Sequence, residues 1–529
     1  MNRTLAALLL LLAAAPMRAG SVAVARHAAL ATDSPWATRI GLDILRRGGR
    51  AIDAAVAAAF ALGVVEPQSS GLGGGGFLVY YDASSHAVWS LDFREVAPAA
   101  VTRETFSGRV PPRDGAVAAG VPGTVAGLAA MHERFGAMSW KELLEPAVRL
   151  AKSEVPVSDA LAAASTRAKH DRNLEIPKEK TRSNPDLAAT LERIAARGAP
   201  DFYRGETASR MVEGVRKAGG LFSHTDLRDY KPLWRAPIRI TVHDYDVYAP
   251  PPPSSAGLML AEELNILSGF DLAKDGPESA RTVHLVAEAA RRAAIDRDHY
   301  VGDPADSRTP FADLLSAERG AQWRTSIDPA KVTPTVGLTE PAPPIPEGAH
   351  TTHLSVVDSD GNAASLTLTL DDDFGSGFLV PGCGFYLNDA MHEFAAAGGA
   401  ANAVASGRRI ASSASPAVVL RHGVPFLVLG SAGGAAIPNV VLQVFLGVTV
   451  FGKSLATAID APRFDQQAVP EDLSFEFGRA PASLLEGLRT IGHGLRAVGS
   501  IGDVQAVMVD GKRITAVSDP RSGGAAGAY

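Results

Sequence analysis

The chain has 529 residues, 46% of them hydrophobic and 20% charged, and its formal net charge is −6 at pH 7. This composition excludes a disordered polymer, and without a basic excess nothing favours nucleic acid as a partner. The single cysteine, Cys383, excludes an internal disulfide and any cysteine-rich zinc or iron–sulfur site. At about 150 residues per domain the length allows three or four domains, and single large folds also reach this size.

The N-terminus has the pattern of a targeting segment. Arg3 is followed by the apolar run 5–15, which is shorter than the roughly 20 residues of a spanning helix but typical of a signal peptide. The alternative is the start of a buried helix. We expect residues 1–20 to be a signal peptide and the mature protein to be periplasmic or secreted.

Periodicity and turn residues predict the elements of the mature chain. Residues 51–66 are apolar nearly all round and should form a buried helix. Strand pairs mixed with long helices favour stacked sheets with helices outside. In chain order, the predicted elements are helices 36–47 and 51–66, a hairpin of strands 77–82 and 87–93, a helix-rich stretch 123–220, helices 256–268 and 277–300, an exposed proline-rich linker 333–349, a hairpin of strands 353–358 and 362–370, strands 416–420 and 425–430, a helix 437–447, and strands 504–509 and 513–517.

Two glycine motifs match nucleotide-binding patterns but lie in the wrong context. Gly71-x-Gly73-x-x-Gly76 follows a predicted helix and precedes a strand, whereas the dinucleotide fingerprint needs the reverse order. Residues 447–454 match the phosphate-loop pattern, but bulky residues stand between their glycines. We interpret the first motif as a turn where backbones approach closely, or as a wall beside a substrate. The second reads as a turn between two helices.

No metal site is expected. The consecutive acids Asp371, Asp372 and Asp373 would point to opposite faces of a strand and so do not converge on one ion. The 13 histidines show no zinc-binding spacing. There is also no G-x-S-x-G elbow, which excludes the serine hydrolases built on that motif.

Thr351 stands at the junction between the predicted linker and a predicted buried strand. If the bond before it is cut, Thr351 gains a free α-amine with an unperturbed pKa of about 8. That amine can act as general base for the hydroxyl of the same residue, so that one residue supplies both nucleophile and base. The position therefore suits an N-terminal nucleophile.

The second hairpin puts another threonine opposite Thr351. If Asp358 pairs with Asn362, the register aligns Thr351 with Thr369, and directly opposed Cβ atoms lie about 5 Å apart. Two hydroxyls at that distance can share a hydrogen bond. An ordinary Thr–Thr cross-strand pair, which β-sheets favour, explains the spacing equally well.

Nearly the whole mature chain, from about residue 24 to the end, resembles the γ-glutamyltranspeptidase (glutathione hydrolase) family of N-terminal-nucleophile hydrolases. The resemblance implies a four-layer αββα sandwich of the α+β class, made as one chain and cut autocatalytically between His350 and Thr351. The products would be a large subunit, 21–350, and a small subunit, 351–529, which stay together as a heterodimer. The resemblance rests on the ordered blocks 71–77, 92–95, 118–124, 251–255, 351–362, 412–416, 430–434, 461–464 and 518–522.

The resemblance also implies the catalytic roles. Thr351 would attack the γ-amide carbonyl of a glutathione-like donor and form a γ-glutamyl ester, which water or an amino-acid or peptide amine then resolves. Thr369 matches the second threonine, which hydrogen-bonds the nucleophile. Gly433 and Gly434 match the pair whose backbone amides form the oxyanion hole, where glycine allows close approach. No cofactor is implied, because the amine of the nucleophile moves the proton.

Recognition of the glutamyl head follows from the same resemblance. Arg94, Ser412 and Ser413 match the residues that bind the donor's α-carboxylate, and a planar guanidinium suits that group. A salt bridge of Arg94 with Glu95 or Asp92 is the structural alternative.

Three positions depart from the family's ammonium-binding set of an Asn, a Gln or Glu, and an Asp. Here they are Asp371, Ala390 and Glu393. Two acids can still hold an ammonium, whereas without a cation two close carboxylates are unfavourable unless one is protonated or paired.

Residues 395–411 are the second departure, because they are shorter than in lidded bacterial members and rich in Ala and Gly. This implies an open groove. The alternatives to a glutathione-like donor are therefore glutaryl-type amides or larger poly-γ-glutamyl substrates. An inactive binding protein is a third hypothesis, against which the intact set Thr351, Thr369, Gly433 and Gly434 argues.

Overall fold

The computed structural model describes residues 21–106, 109–172, 181–305, 309–339, 342, 344–345, 347–348, 350–395 and 400–529. The predicted signal peptide, residues 1–20, lies outside the described residues. Among the described helices, none is both long and apolar enough to cross a membrane.

Helix boundaries follow local capping rules. α1 starts after Ser34, whose hydroxyl accepts the N–H of Trp36, and α4 starts with a capping box between Ser139 and Glu142. The described α-helices are α1 (Pro35–Arg46), α2 (Ala51–Val65), α3 (Thr124–Phe135), α4 (Trp140–Lys152), α5 (Asp159–Arg172), α6 (Pro185–Arg197), α7 (Pro200–Arg204), α8 (Glu206–Lys217), α9 (His224–Asp229), α10 (Ala256–Leu267), α11 (Leu272–Asp275), α12 (Ala280–Tyr300), α13 (Phe311–Leu314), α14 (Ala317–Thr325), α15 (Ile437–Thr449), α16 (Leu455–Asp460) and α17 (Ala482–Ile491).

Most strands join one of two antiparallel sheets. The first sheet has the order β1-β18-β17-β13-β12-β9-β8, and the second has the order β19-β2-β10-β11-β3-β4-β7. The described strands are β1 (Val22–Ala25), β2 (Ala29–Thr32), β3 (Gly75–Asp82), β4 (Ala87–Asp92), β5 (Val155–Pro156), β6 (Thr181–Arg182), β7 (Leu233–Arg235), β8 (Ile238–Val242), β9 (Tyr245–Ala249), β10 (His350–Val357), β11 (Ala363–Asp371), β12 (Ala417–Arg421), β13 (Val424–Ala432), β14 (Phe464–Asp465), β15 (Leu473–Glu476), β16 (Leu495–Val498), β17 (Asp503–Asp510), β18 (Arg513–Ser518) and β19 (Ala525–Ala528).

The two sheets stack face to face, and helices cover both outer faces. Small and branched side chains fill the layer between the sheets, among them Ala31 and Val79 of the second sheet and Val418 and Val428 of the first. Helices α1–α4 and α6 pack on the second sheet, and α10, α12 and α15 pack on the first. The αββα sandwich implied by the family resemblance is therefore confirmed.

Alternation along β10 decides which residues face the interior of the sandwich. Leu354 and Val356 lie in the core beneath the helices. The intervening residues face the first sheet, where the Ser355 hydroxyl donates to the carbonyl O of Gln505 in β17 at 2.9 Å. Thr351 belongs to this second set, so it lies at the end of the layer between the sheets.

The predicted helices, strands and hairpins are confirmed to within a few residues. The buried helix 51–66 is α2, all of whose residues are buried. In the helix-rich stretch 123–220, α6 and α7 begin at Pro185 and Pro200, where proline suits the first helical turn. Residues 173–180 of that stretch lie outside the described residues.

The prediction of an exposed linker at 333–349 holds for only part of its described residues, since Pro334, Val336 and Pro344 are exposed but others are buried. Thr335, Ile345 and Gly348 are buried. Ile345 packs with Leu258 and Val301. Burial of an apolar side chain is favourable even within a proline-rich segment. β10 also begins at His350, three residues before the predicted strand.

Both glycine motifs are turns, as interpreted. Residues 447–454 connect α15 with α16. Gly74 and Gly76 lie where β3 meets β11 so closely that a Cβ at either residue would overlap a carbonyl O of that strand, at Thr369 and Thr367 respectively. Because only glycine permits this approach, these residues bring β3 against the strand that carries Thr369.

We expect Gly76→Ala to lower the free energy of unfolding by about 1–3 kcal/mol, because the added methyl overlaps backbone and also meets the Phe93 ring. Thermal unfolding followed by circular dichroism measures the loss. Gly499→Ala is the matched control, since no described heavy atom lies within 4 Å of its Cβ position. Equal losses in the two variants would contradict the close-approach explanation.

Candidate active site

Thr351, the second residue of β10, faces an opening at one end of the sandwich. β2 pairs with β10 only from Leu354 to Val357, because the chain leaves β2 at Thr32 to enter α1. The carboxylate of Asp33 then replaces the missing strand and accepts the N–H of His353 at 3.1 Å. The space beside it is a cavity of about 690 Å³ that Thr351 lines.

On its other edge, β10 pairs with β11 in the predicted register. Thr351 lies opposite Thr369, and a bulge at Leu370 then brings His350 opposite Asp371. The Thr351 hydroxyl donates to Thr369 Oγ1 at 3.3 Å, and the Thr369 hydroxyl donates to the carbonyl O of His350 at 3.1 Å. The two hydroxyls and the carbonyl of the predicted cleavage point are thus in direct contact.

The histidines on either side of the threonine pair 351–352 are not placed to act as bases. His353 is buried between the sheets, and burial lowers its pKa to about 3. Its ring nitrogens lie 2.9 Å from Thr367 Oγ1 and 3.0 Å from Ser355 Oγ. Burial also lowers the pKa of His350, whose Nε2 lies 3.2 Å from Asp373 Oδ2. Among the described contacts, neither ring is hydrogen-bonded to the Thr351 hydroxyl, which instead contacts Thr369.

An acidic wall that the sequence does not reveal lines the cavity. Asp33, Glu66 and Asp503, which come from distant parts of the chain, form this wall. The rest of the cavity lining includes Asp465 and the arginines Arg167, Arg496 and Arg521. Gln505 Nε2 bridges the two aspartates of the wall, at 2.7 Å from Asp33 Oδ1 and 3.0 Å from Asp503 Oδ1. Burial raises the pKa of both aspartates, with repulsion by a neighbouring acid adding to it, and burial raises the pKa of Glu66 to about 7.

Gly433 and Gly434 form the turn that follows β13. The strand ends at Ala432, which pairs with Asp503, so the next two amides leave the ladder. Both glycines have positive φ, 130° and 58°, a backbone region that favours glycine. Gly433 lines the same cavity as Thr351.

Arg94 is fully buried at the centre of a charged cluster. Its Nη1 lies 3.0 Å from Glu95 Oε2, and its Nη2 pairs with Glu393. Burial opposes the charged guanidinium, but Glu393 and Glu95 outweigh it and raise the pKa of Arg94. The salt bridge expected as the alternative is therefore present, and Nε still has no hydrogen-bond partner among the described residues.

Ser413 and Asp371 contact Glu347 and Gly348 of the linker, two residues for which the sequence predicted no role. The backbone N–H of Ser413 donates to Glu347 Oε2 at 3.1 Å, and its hydroxyl donates to Oε1 of the same residue. The N–H of Gly348 donates to Asp371 Oδ1 at 2.8 Å. Ser412 Oγ accepts the N–H of Ala414 at 3.2 Å. The signal for Glu347 in the sequence is weak: one acid four residues before the predicted cleavage point.

One continuous series of contacts joins the predicted site residues. The Thr369 hydroxyl, in contact with Thr351, also accepts the N–H of Asp371 at 2.8 Å. A carboxyl–carboxyl hydrogen bond joins Asp371 to Glu393, and burial raises the pKa of Glu393 well above its usual range. Because Glu393 in turn contacts Arg94, the nucleophile candidate and the charged cluster lie next to each other.

Three further positions singled out in the sequence contact other parts of the fold. Ala390 is buried in an apolar cluster. Asp372 pairs with Arg113, and Asp373 pairs with Arg167 at 2.9 Å, so these acids diverge. Across the described part of the chain, no group of three His, Cys, Asp or Glu side chains is arranged to hold a metal ion.

The short segment 395–411, which the resemblance predicts to leave the groove open, is described at residue 395 and from residue 400 onward, and 396–399 lie outside the described residues. Asn402 Nδ2 donates to the carbonyl O of Glu393 at 2.8 Å, and Arg409 Nη1 lies 3.3 Å from Asp92 Oδ1. No described residue from 400 to 411 lines the cavity beside Thr351.

Comparisons with known proteins show which family and which solved structures the chain is similar to. A family model described as gamma-glutamyltranspeptidase matches residues 37–529. The glutathione hydrolase proenzyme of Pseudomonas aeruginosa is 39% identical over 526 residues, which cover 94% of this chain and 93% of that protein. The crystal structure of cephalosporin acylase from Bacillus halodurans matches with a TM-score of 0.88 and 29% identity, covering 96% of this chain and 97% of its own. A gamma-glutamyltranspeptidase chain from Pseudomonas nitroreducens, complexed with L-DON, matches with a TM-score of 0.54 and 36% identity, covering 97% of that chain but 58% of this one.

We expect Asp503→Asn to gain thermal stability relative to the parent protein as the pH rises from about 5 to about 8. The raised pKa of Asp503 means that the folded state binds a proton where the unfolded state has lost it. The parent protein therefore loses stability as the pH rises through about 7, and the variant lacks this loss. Unfolding midpoints at both pH values measure it. Asp510→Asn is the control, because Asp510 is exposed on the same strand, and equal offsets in the two variants would contradict the prediction.

Proposed function

The chain belongs to the gamma-glutamyltranspeptidase family and is a γ-glutamyl hydrolase/transferase, and from this premise we propose that Thr351 is its nucleophile, released by self-cleavage of the His350–Thr351 bond. The observation that carries the proposal is the contact of the Thr351 hydroxyl with Thr369, whose own hydroxyl donates to the His350 carbonyl O. The products are a large subunit, 21–350, and a small subunit, 351–529, associated as a heterodimer.

Self-cleavage begins with attack of Thr351 Oγ1 on the carbonyl carbon of His350. The proton of the attacking hydroxyl passes to Thr369 Oγ1 while Thr369 gives its own hydroxyl proton to the His350 carbonyl O, which yields a neutral tetrahedral intermediate. The C–N bond then breaks as the proton on that oxygen moves to the nitrogen of Thr351, the carbonyl re-forms and an ester remains. Water hydrolyses this ester, which leaves a carboxylate on His350 and a free α-amine on Thr351.

The same hydroxyl then serves the donor. The free α-amine, with an unperturbed pKa of about 8, takes the hydroxyl proton as Thr351 attacks the γ-amide carbonyl. The amides of Gly433 and Gly434 bind the oxyanion, and the amine leaves with a proton. Water resolves the resulting γ-glutamyl ester by hydrolysis, and an amino acid or peptide amine resolves it by transfer.

Donor recognition depends on the charges around Arg94. We assign the donor's α-carboxylate to Arg94, Ser412 and Ser413, and its ammonium to Asp371 and Glu393. Glu393 already contacts Arg94, and its carboxyl is also hydrogen-bonded to that of Asp371. Because acids outnumber the arginine here, a donor that brings an ammonium relieves their repulsion, which favours a glutathione-like head.

An acylase for glutaryl-type amides is the second candidate. The similarity to cephalosporin acylase supports it, and so does Ala390, whose side chain cannot accept a hydrogen bond. The open cavity beside Thr351 leaves room for larger poly-γ-glutamyl donors. The signal pattern of residues 1–20 supports a periplasmic or secreted enzyme.

Purified protein should run on a denaturing gel as two chains of about 19 kDa and about 34 kDa, scaling the 55.0 kDa mass by length. Thr351→Ala removes the attacking hydroxyl and should leave one uncut chain. Thr352→Ala is the matched control, because that side chain faces the opposite side of β10, and it should still be cut. An uncut parent chain, or cleavage of Thr351→Ala at the same bond, would contradict self-cleavage.

We expect release of p-nitroaniline from a γ-glutamyl anilide to exceed release from a glutaryl anilide by about tenfold or more in kcat/KM. One hydrogen bond to a charged group contributes about 1.5–3 kcal/mol, and only the γ-glutamyl donor brings the ammonium. Initial rates with the two anilides measure the ratio. The reverse order would favour the acylase.

A further inference from the structure

We propose that Glu347 is an internal occupant of the donor pocket, which in the uncut chain fills the subsite for the donor's α-amino acid head and keeps donors out until the His350–Thr351 bond is cut. This inference rests on the proposed function, because the donor pocket is defined there. It adds an occupant that belongs to the chain itself.

The carboxylate of Glu347 takes the place assigned to a donor carboxylate at Ser413, one of its three proposed partners. It accepts two hydrogen bonds from Ser413, one from the backbone N–H at 3.1 Å and one from the hydroxyl. Burial raises the pKa of Glu347 to about 7, while Arg297 on α12 and, more weakly, Arg94 favour its ionised form. A donor carboxylate and Glu347 therefore compete for Ser413.

The next residue makes the contact assigned to a donor ammonium. The N–H of Gly348 donates to Asp371 Oδ1 at 2.8 Å. A Cβ at Gly348 would overlap the Asp371 backbone carbonyl, so the chain passes as close to this acid as a small ligand would. The Glu347 carboxylate on Ser413 stands in for the carboxylate of an α-amino acid head, and the Gly348 N–H on Asp371 stands in for its ammonium.

The chain holds this occupant from both ends. Ile345 is buried beside Leu258 and Val301, and His350 is the first residue of β10. A group tethered so closely has a local concentration of the order of millimolar or more, so a free donor competes poorly with it.

Cleavage removes one of the two tethers. The peptide bond that joins His350 to β10 is replaced by a carboxylate at the new chain end. Asp371 lies opposite His350, and Asp373 Oδ2 lies 3.2 Å from its imidazole, while Asp373 also pairs with Arg167. With this tether cut, Glu347 and Gly348 are held only from the Ile345 side, so their local concentration at the pocket falls and a donor can displace them.

The test compares binding of L-glutamate to uncut proteins by isothermal titration calorimetry. Thr351→Ala keeps the chain whole and should bind L-glutamate at least about tenfold more weakly than the double variant Thr351→Ala/Glu347→Ala, because only the latter has an empty pocket. Glutarate, which lacks the amine, is the second probe and should bind the double variant more weakly than L-glutamate. Thr351→Ala/Glu486→Ala is the matched control, since Glu486 is exposed on α17.

Equal binding of L-glutamate by Thr351→Ala and by the double variant, or equal absence of binding, would overturn the inference. The proposed function is assayed separately, by γ-glutamyl anilide hydrolysis with the cleaved parent enzyme. An active parent enzyme with equal binding in the uncut variants would therefore refute the role of Glu347 alone, whereas an inactive, uncut parent chain would refute the proposed function.

Discussion

The register between β10 and β11 is the constraint on which the rest of the site depends. It aligns Thr351 with Thr369 and, through the bulge at Leu370, turns the His350 carbonyl toward the second hydroxyl. A slip of one residue would reverse every side chain of β10 and bury Thr351 beneath the helices. Leu354 and Val356 prevent that slip because they already fill the helix-covered core. The residues that stabilise the core thus also orient Thr351, the proposed nucleophile.

Access to Thr351 comes from a strand that stops early. β2 ends opposite Leu354, and a buried carboxylate, Asp33, replaces its hydrogen bonding at His353. The open edge of β10 thus has its backbone N–H hydrogen-bonded, and Thr351 stays uncovered. The cavity therefore has an acidic wall, and burial raises the pKa of its carboxyl groups.

Charge governs the donor side of the site. Arg94 is buried among Glu95, Glu393 and Asp371, so the pocket carries more acid than base and its acids repel one another. Unlike a neutral pocket, the proposed donor pocket therefore discriminates between donors by the charge of their α-amino acid head. The side chain of Glu393 reaches Arg94 itself, so the residues proposed to bind the donor's carboxylate and ammonium are in direct contact.

The sequence by itself determined stacked sheets with outer helices, the main helices and strands, and the pairing of Thr351 with Thr369, because periodicity and turn residues specify local structure and hairpin register. The four-layer αββα arrangement came from the family resemblance. Resemblance supplied Arg94, Ser412, Ser413, Gly433 and Gly434, and the structure brings Arg94 and the serines beside the linker and Gly433 to the cavity. Only the tertiary structure decided that Glu347 lies against Ser413, that Glu393 contacts Arg94, and that Asp33 and Asp503 share one wall. These contacts join residues tens to hundreds of positions apart, and their geometry depends on how two sheets stack, which no local pattern in the chain encodes.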